Sequence, residues 1–335
     1  MLSIKLFPAE YGDCIMLSIG KENQYNILID GGLSKTYQKY IKSQIQHIKE
    51  KRQKIGLLVC THMDNDHICG LIQVLKEMNS DFIDNVWYNG FLQIVNSRFY
   101  SQKENSFTDR DNKILDEIIS QGVVSDAEQE IGINEGMSLG VLIEESKIPL
   151  NLVVEGRAIC SELVENRYEI ATNIFITVLG PSINNIIELE DHWKKEMVSR
   201  NYMFRVSDKI KLTAAFEYQI ERIKSIYTNE SFKICENEDL TKYIGDLSER
   251  DESIVNRSSI SFILEYNDKK YLFLGDTVID KAILKNIENV VGFEYRFSAI
   301  KLPHHGSRYN ITHDFISRYS ACLLYTSPSP RDPKT

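Results

Sequence analysis

Short apolar runs separated by turn residues open the chain. Leu2–Phe7, Cys14–Ile19 and Tyr25–Ile29 each have the length of a strand, with Tyr11-Gly12-Asp13 and Asp30-Gly31-Gly32 punctuating them. Ser34 is placed to cap a helix whose apolar stripe is Tyr37, Ile41, Ile45 and Ile48. Ile55–Cys60 is apolar throughout, as a strand buried on both faces is, and it runs straight into Thr61-His62. Beyond Gly70 the spacing of Leu71, Val74, Leu75 and Met78 predicts another helix, and Val86–Tyr88 predicts a further strand.

The middle of the chain has a different texture. Residues from about 91 to 170 are polar with few periods, and those from about 183 to 250 are helical in pattern and heavily charged. Both stretches read as insertions on a core, with a strand at Ile174–Leu179 between them that Gly180-Pro181 ends. Core patterning returns in Ser258–Tyr266 and Lys270–Leu274, joined by a hairpin turn at Asn267-Asp268. A helix at Ala282–Ile287 follows, then a strand at Ala299–Leu302 leading into Pro303-His304-His305-Gly306-Ser307. This mixture of strands and helices predicts one layered α/β domain with a mixed sheet over residues 1–321. Thr326–Thr335 holds three prolines and no large apolar residue, so it supports no element. Residues 322–335 are expected to be a non-native or disordered tail, and the natural chain is expected to continue past about Ala321.

Composition narrows the function classes. A formal net charge of −9 argues against a protein that coats nucleic acid, which needs excess Lys and Arg. The stretch Lys194–Lys211 is nevertheless basic and carries Tyr202 and Phe204. That is the composition of a local nucleic-acid contact, although a solvated helix with its aromatics turned inward is the simpler reading. The six cysteines are scattered without a CxxC pair, which predicts free thiols in a reducing compartment. The chain shows no leader pattern and no apolar run of membrane-spanning length, so a cytoplasmic protein is expected.

The densest chemistry lies in Thr61-His-Met-Asp-Asn-Asp-His67, where two imidazoles and two carboxylates fall within six residues directly after a buried strand. An extended loop would put His62, Asp64 and Asp66 on one side, with His67 following as the loop tightens. Such a set can feed two adjacent metal ions. An acidic helix start explains Asp64 and Asp66 but not the flanking histidines. Asp276 ends an apolar strand, and the tandem His304-His305 follows another. Neighbouring residues on a strand end point to opposite sides, so one histidine is expected to face the metals.

His62-x-Asp64-x-Asp66-His67, preceded by Ile-Leu-Ile-Asp-Gly-Gly (27–32), resembles the signature of the metallo-β-lactamase superfamily. Together with YGDCIML, NRSSISFIL, LFLGDT and KLPHHGS it resembles one branch, the soluble hydrolase domain associated with ComEC-type DNA-uptake proteins. The likeness covers roughly residues 1–90 and 253–318. It implies a four-layered αββα sandwich with mixed sheets and helical insertions. By the same resemblance, His62 and Asp64 would serve one metal, Asp66 and His67 a second, and Asp276 would bridge them, with His304 as a further ligand. Asp30 would support the ligands from behind, and Ser307 and Asn256 would contact substrate. The two ions would be zinc, with manganese a competitor because Asp64 replaces the usual histidine. Hydrolysis would use a metal-bound hydroxide oriented by Asp66 and Asp276, with His304 or His305 assisting the leaving group. The favoured substrate is a phosphodiester in nucleic acid or a nucleotide, although the superfamily also cleaves thioesters, lactones and lactams. Related domains carry a further C-terminal histidine that this chain lacks, so either His313 substitutes or the ligand is lost; loss is the expectation. Two other readings stand beside this one: a non-catalytic binding module of a competence or phage-defence system, and an inactive truncated fragment.

Overall fold

The computed structural model describes residues 1–95, 109–123, 138–202, 209–227 and 250–325. Five strands form the first sheet, in the order β1 (Leu2–Leu6), β2 (Ile15–Ile19), β3 (Tyr25–Ile29), β4 (Ile55–Val59) and β5 (Val86–Trp87). The first three are antiparallel, and β3, β4 and β5 run parallel. Between β3 and β4 the chain is helical from α1 (Ser34–Thr36) through a π-helical segment, Tyr37–Ile41, to α2 (Lys42–Glu50). The expected stripe of Tyr37, Ile41, Ile45 and Ile48 is buried. Ser34 is not the cap: Leu33 occupies that position, with no side-chain bond to the helix.

After β4 comes α3 (Asn65–Glu77), then α4 (Phe91–Ile94), α5 (Asp109–Val123) and α6 (Leu139–Ser146). The second sheet contains β6 (Tyr168–Ala171), β7 (Ile174–Gly180), β8 (Ser261–Tyr266), β9 (Lys269–Phe273), β10 (Tyr295–Lys301) and β11 (Tyr319–Tyr325), paired in the order 11-10-9-8-7-6. Its helices are α7 (Ile183–Ser199) and α8 (Lys209–Tyr227) after β7, α9 (Ile254–Arg257) before β8, α10 (Lys281–Val291) before β10 and α11 (His313–Arg318) before β11. Neighbours β9, β10 and β11 are parallel and the remaining pairs antiparallel. The Asn267-Asp268 turn forms as expected, with both residues at positive φ. The strand expected from Ser258 starts at Ser261, because α9 and the turn after it consume the preceding residues. Residues 322–325, counted above with the tail, are the second half of β11; residues 326–335 lie outside the described set.

Strand alternation sorts the apolar side chains into three layers. Cys14, Met16, Leu28 and Leu58 face the helices α2 and α3. Ile15, Leu17, Ile27, Ile29, Leu57 and Val59 turn the other way, against Ile176, Phe262, Leu264 and Phe273 of the second sheet. Ile263, Leu272 and Ile300 face Ile283, Ile287 and Phe315 on α10 and α11. The order is helices, sheet, sheet, helices, which is the expected sandwich. The middle stretches do more than decorate it. Phe91, Trp193 and Phe216 pack with ring centroids 5.2–5.8 Å apart, inside the layer that α3 occupies.

A buried carboxylate fastens those helices to the first sheet. Glu217 on α8 accepts from Tyr88 Oη at 2.7 Å and from the backbone N–H groups of Leu139 and Gly140 at 2.8 Å, at the start of α6. Burial pushes its pKa up to about 7, against the opposing pull of those donors.

Candidate metal centre

Parallel pairing decides where the chemistry gathers. Asp30 lies just past β3 and Thr61 just past β4, so both reach one edge of the first sheet. Asp276 follows β9, and the turn Pro303–Gly306 follows β10, at one edge of the second. A backbone bond from Ile260 N to Thr61 O, 2.8 Å, joins the two sheets there.

The helix expected after Gly70 begins earlier, at Asn65, with Asp64 extended at the capping position and Asp66 and His67 in the first turn. Gly70 is therefore inside α3 and makes no turn. It is glycine because α3 lies against the Asp30-Gly31-Gly32 turn: a Cβ there would sit 1.9 Å from Gly31 O. Gly31 N bonds His67 O at 2.8 Å, and Gly70 N bonds Gly32 O at 2.9 Å.

Asp30 sets the tautomers of two histidines. Thr61 donates its N–H to Asp30 Oδ1 and its hydroxyl to Oδ2, both at 2.8 Å. With its one proton so used, the Thr61 oxygen can only accept from His62 Nδ1, 3.0 Å away. His67 Nδ1 lies 2.9 Å from Asp30 Oδ2 and donates to it. Both rings are thus anchored through Nδ1 and turn Nε2 toward the centre, the orientation that metal-bound histidines have.

Those Nε2 atoms converge on Asp276. Its Oδ2 lies 4.0 Å from His62 Nε2, 3.6 Å from His67 Nε2 and 3.7 Å from His305 Nε2. His305 Nε2 is also 4.0 Å from Asp66 Oδ2, and His62 Nε2 is 3.2 Å from Asp64 Oδ2. Burial would raise the Asp276 pKa, but His67, His305 and Lys301 outweigh it and hold the carboxyl well below its usual range. Burial opposes charge on His67 too, yet Asp276, Asp30 and Asp66 hold that imidazole well above its usual pKa. For His305 burial wins and lowers the pKa.

The tandem histidines divide the work through the backbone. Both have positive φ, 44° and 56°, so the chain coils tightly instead of continuing as a strand end. His305 turns to Asp66 and Asp276. The Nδ1 of His304 faces Asn310 Oδ1 at 3.1 Å and Asp251 Oδ2 at 3.3 Å, and its ring is about one-third exposed. Asn256 is buried; its Nδ2 donates to Asp251 at 2.6 Å and lies 3.4 Å from His304 Nδ1.

These residues fit a divalent cation. The ligand atoms of His62, His67 and Asp276 lie within 4.8 Å of one another, as do those of Asp66, His67 and His305, and of Asp276, His304 and His305. Buried His62 Nε2, His67 Nε2 and Asp276 Oδ2 make no hydrogen bond among the described residues. Such groups carry a desolvation cost of several kcal/mol unless an ion satisfies them, by order of magnitude.

Residues 9–79 match the family model of the metallo-beta-lactamase superfamily. The matched stretch contains Asp13, Asp30 and His62–His67. Two mixed sheets enclosed by helices agree with the sandwich of that superfamily, and the match points to a metal-dependent hydrolase. No curated protein matches the chain. Among solved structures it is similar to zinc-bound PqqB from Methylobacterium extorquens, with 9% identity and a TM-score of 0.34. That alignment covers 86% of this chain and 59% of the other, so the chain spans less than two thirds of that protein's length.

Of the residues singled out in the sequence, His62, Asp64, Asp66, His67, Asp276 and His305 meet in one cluster, with His304 on its rim and Asp30 behind it. Ser307 caps the histidine turn, its N–H bonding His304 O at 2.9 Å. His313 is exposed at the start of α11 and belongs to none of the metal-capable groups among the described residues. His47 is exposed and His192 half-exposed, and neither belongs to a metal-capable group among the described residues. Tyr202 is buried; Phe204 lies outside the described residues, and with it the middle of the basic stretch. No described helix is long and apolar enough to cross a membrane.

Sequence reasoning passed over Asp13, Thr61, Asp251, Lys301 and Asn310. Asp13 and Lys301 stood inside the motifs YGDCIML and KLPHHGS, where an unexplained charge in an apolar context was the available signal. Asp251 had none, since its role depends on where the chain before β8 comes to rest.

Proposed function

We propose that this chain is a metal-dependent hydrolase acting on a phosphodiester, in nucleic acid or a nucleotide. The observation that carries the hydrolase reading is Asp276 Oδ2, set among three imidazole Nε2 atoms 3.6–4.0 Å away. Charge supports a pair of cations. With the imidazoles neutral, as metal binding requires, ionised Asp13, Asp30, Asp64, Asp66 and Asp276, all buried, outnumber by four the one ammonium beside them among the described residues, Lys301. Two divalent ions match that total, with zinc first and manganese second on the oxygen-rich donor set. Bound there, they would supply the Lewis acidity that makes water nucleophilic at neutral pH and polarises the scissile bond.

The chain's own groups do the rest. His62, Asp64, Asp66, His67, Asp276 and His305 hold the ions, with His304 adjoining them, and Asp66 and Asp276 also orient the attacking water through hydrogen bonds. His304 holds Nδ1 against Asp251 and Asn310, so that its cationic form would give the Nε2 proton to the departing oxygen. Ser307, at the end of the same turn, is available to a phosphoryl oxygen. The choice of phosphodiester over lactone or thioester rests on the motif resemblance to the ComEC-associated branch. The buried thiols of Cys14, Cys60 and Cys160 favour a reducing compartment such as the cytoplasm.

The test is a turnover panel on zinc- and manganese-loaded protein: bis-p-nitrophenyl phosphate, single-stranded DNA, a thioester and a lactone, each beside Asp66→Ala. Metal-dependent cleavage of the phosphodiesters alone, abolished in the variant, is expected. A fully active Asp66→Ala protein would rule out this site, and cleavage confined to the thioester or lactone would refute the substrate class.

A further inference from the structure

We propose that Lys301 and Asp13 are positioning residues that fix how Asp276 and His305 face the metal centre; this rests on the metal-dependent reading above. Lys301 closes β10 opposite Phe273 of β9, so its side chain reaches the turn that follows β9. There its ammonium donates to Gly275 O at 2.8 Å and lies 3.5 Å from Asp276 Oδ1. Asp13 comes from the β1–β2 loop. Its Oδ2 forms an ion pair with Lys301, and its Oδ1 lies 3.7 Å from His305 Nδ1. All three charged groups are buried.

The consequence for Asp276 is geometric. With the ammonium against Oδ1, Oδ2 is the oxygen turned to His62, His67 and His305. A carboxylate held this way would offer the centre one oxygen, Oδ2. Released, it could swing and offer both, which would change how many ions the residues hold. For His305 the link is a field and not a hydrogen bond: the Asp13 charge, 3.7 Å behind Nδ1, favours a proton on that side of the ring and the ring face that turns Nε2 to the centre. A plain ion pair tying the β1–β2 loop to β10 would do neither, and burying a lysine for that purpose alone gains little over an apolar pair.

The discriminating experiment is a titration of the metal-free chain with Co2+, followed by visible absorption and by bound-metal analysis, on wild type, Asp13→Asn/Lys301→Met and Lys301→Arg. Removing both members of the pair avoids an orphaned buried charge. Wild type is expected to take up two equivalents. The folded double variant should bind the second equivalent about 10–100-fold more weakly, the usual cost of losing a supporting partner. Its cobalt band should also weaken, as Asp276 raises the coordination number of the first ion. Lys301→Arg keeps the charge and should retain the wild-type spectrum. A double variant with wild-type affinity and spectrum overturns the positioning role, as does a folded Lys301→Arg protein with the double variant's spectrum. Wild type that takes up no cobalt instead overturns the metal-centre reading itself.

Discussion

Glu217→Gln separates the energetics of the helical layer from those of the metal centre. The carboxyl is buried, accepts hydrogen bonds from Tyr88, Leu139 and Gly140 with the Ser138 side chain beside them, and has its pKa pushed up to about 7 in the folded chain against an ordinary value of 4.5. Below pH 4.5 the group is protonated whether or not the chain is folded, and contributes no pH dependence. Between 4.5 and 7 the unfolded chain gives up the proton while the folded chain keeps it, so stability falls as pH rises. Each pH unit is about 1.4 kcal/mol, and the whole window is worth about 3 kcal/mol, lost in full above pH 7. Glutamine cannot titrate; whatever hydrogen bond it forfeits is a constant offset. Urea denaturation at pH 5, 6, 7 and 8 measures the difference, with Trp193 fluorescence as reporter, since that ring packs on Phe216 one residue from Glu217. Wild type minus Glu217→Gln should decline by about 2.5 kcal/mol from pH 5 to pH 8, the rest of the window lying below pH 5. A flat difference would mean that the three donors keep the carboxylate ionised, and the reasoning from burial would be refuted.

Asp30→Ala removes the acceptor that fixes the tautomers of His62 and His67, so metal affinity should fall about 10–100-fold; calorimetric zinc titration measures it, and unchanged affinity would show that the rings orient without it. Gly70→Ala puts a methyl 1.9 Å from Gly31 O and must push α3 off the Asp30 turn. A cost of about 1–3 kcal/mol is expected, read as a lowered melting temperature together with poorer metal retention.

Much of this architecture is legible in the amino-acid order because it is local. The strands around Ile27, Leu57 and Leu272 are apolar runs, and the candidate ligands within His62–His67 crowd one segment, so neither needs knowledge of a distant partner. What escaped the reading depends on distance. Gly70 looks like a turn residue until its neighbour Gly31, thirty-nine positions earlier, is known to press on it. Lys301 looks like a strand-end charge until Asp13 meets it from the far end of the chain. The polar stretch around α5 and α6 gives little periodicity, yet Leu115, Ile118, Leu139 and Leu142 are buried, because α8 and the first sheet supply the apolar surface they pack against.

The bond from Ile260 to Thr61 marks a seam. Asp13, Asp30 and His62–His67 belong to one sheet, and Asp276, Lys301, His304 and His305 to the other, so the centre is assembled only when the two slabs of the sandwich meet in register. A cation seated there acts as a rivet through both slabs. Cohesion of the whole body would then grow with the logarithm of the free cation concentration, and a chelator would loosen the joint between the slabs along with the loops that carry the candidate ligands.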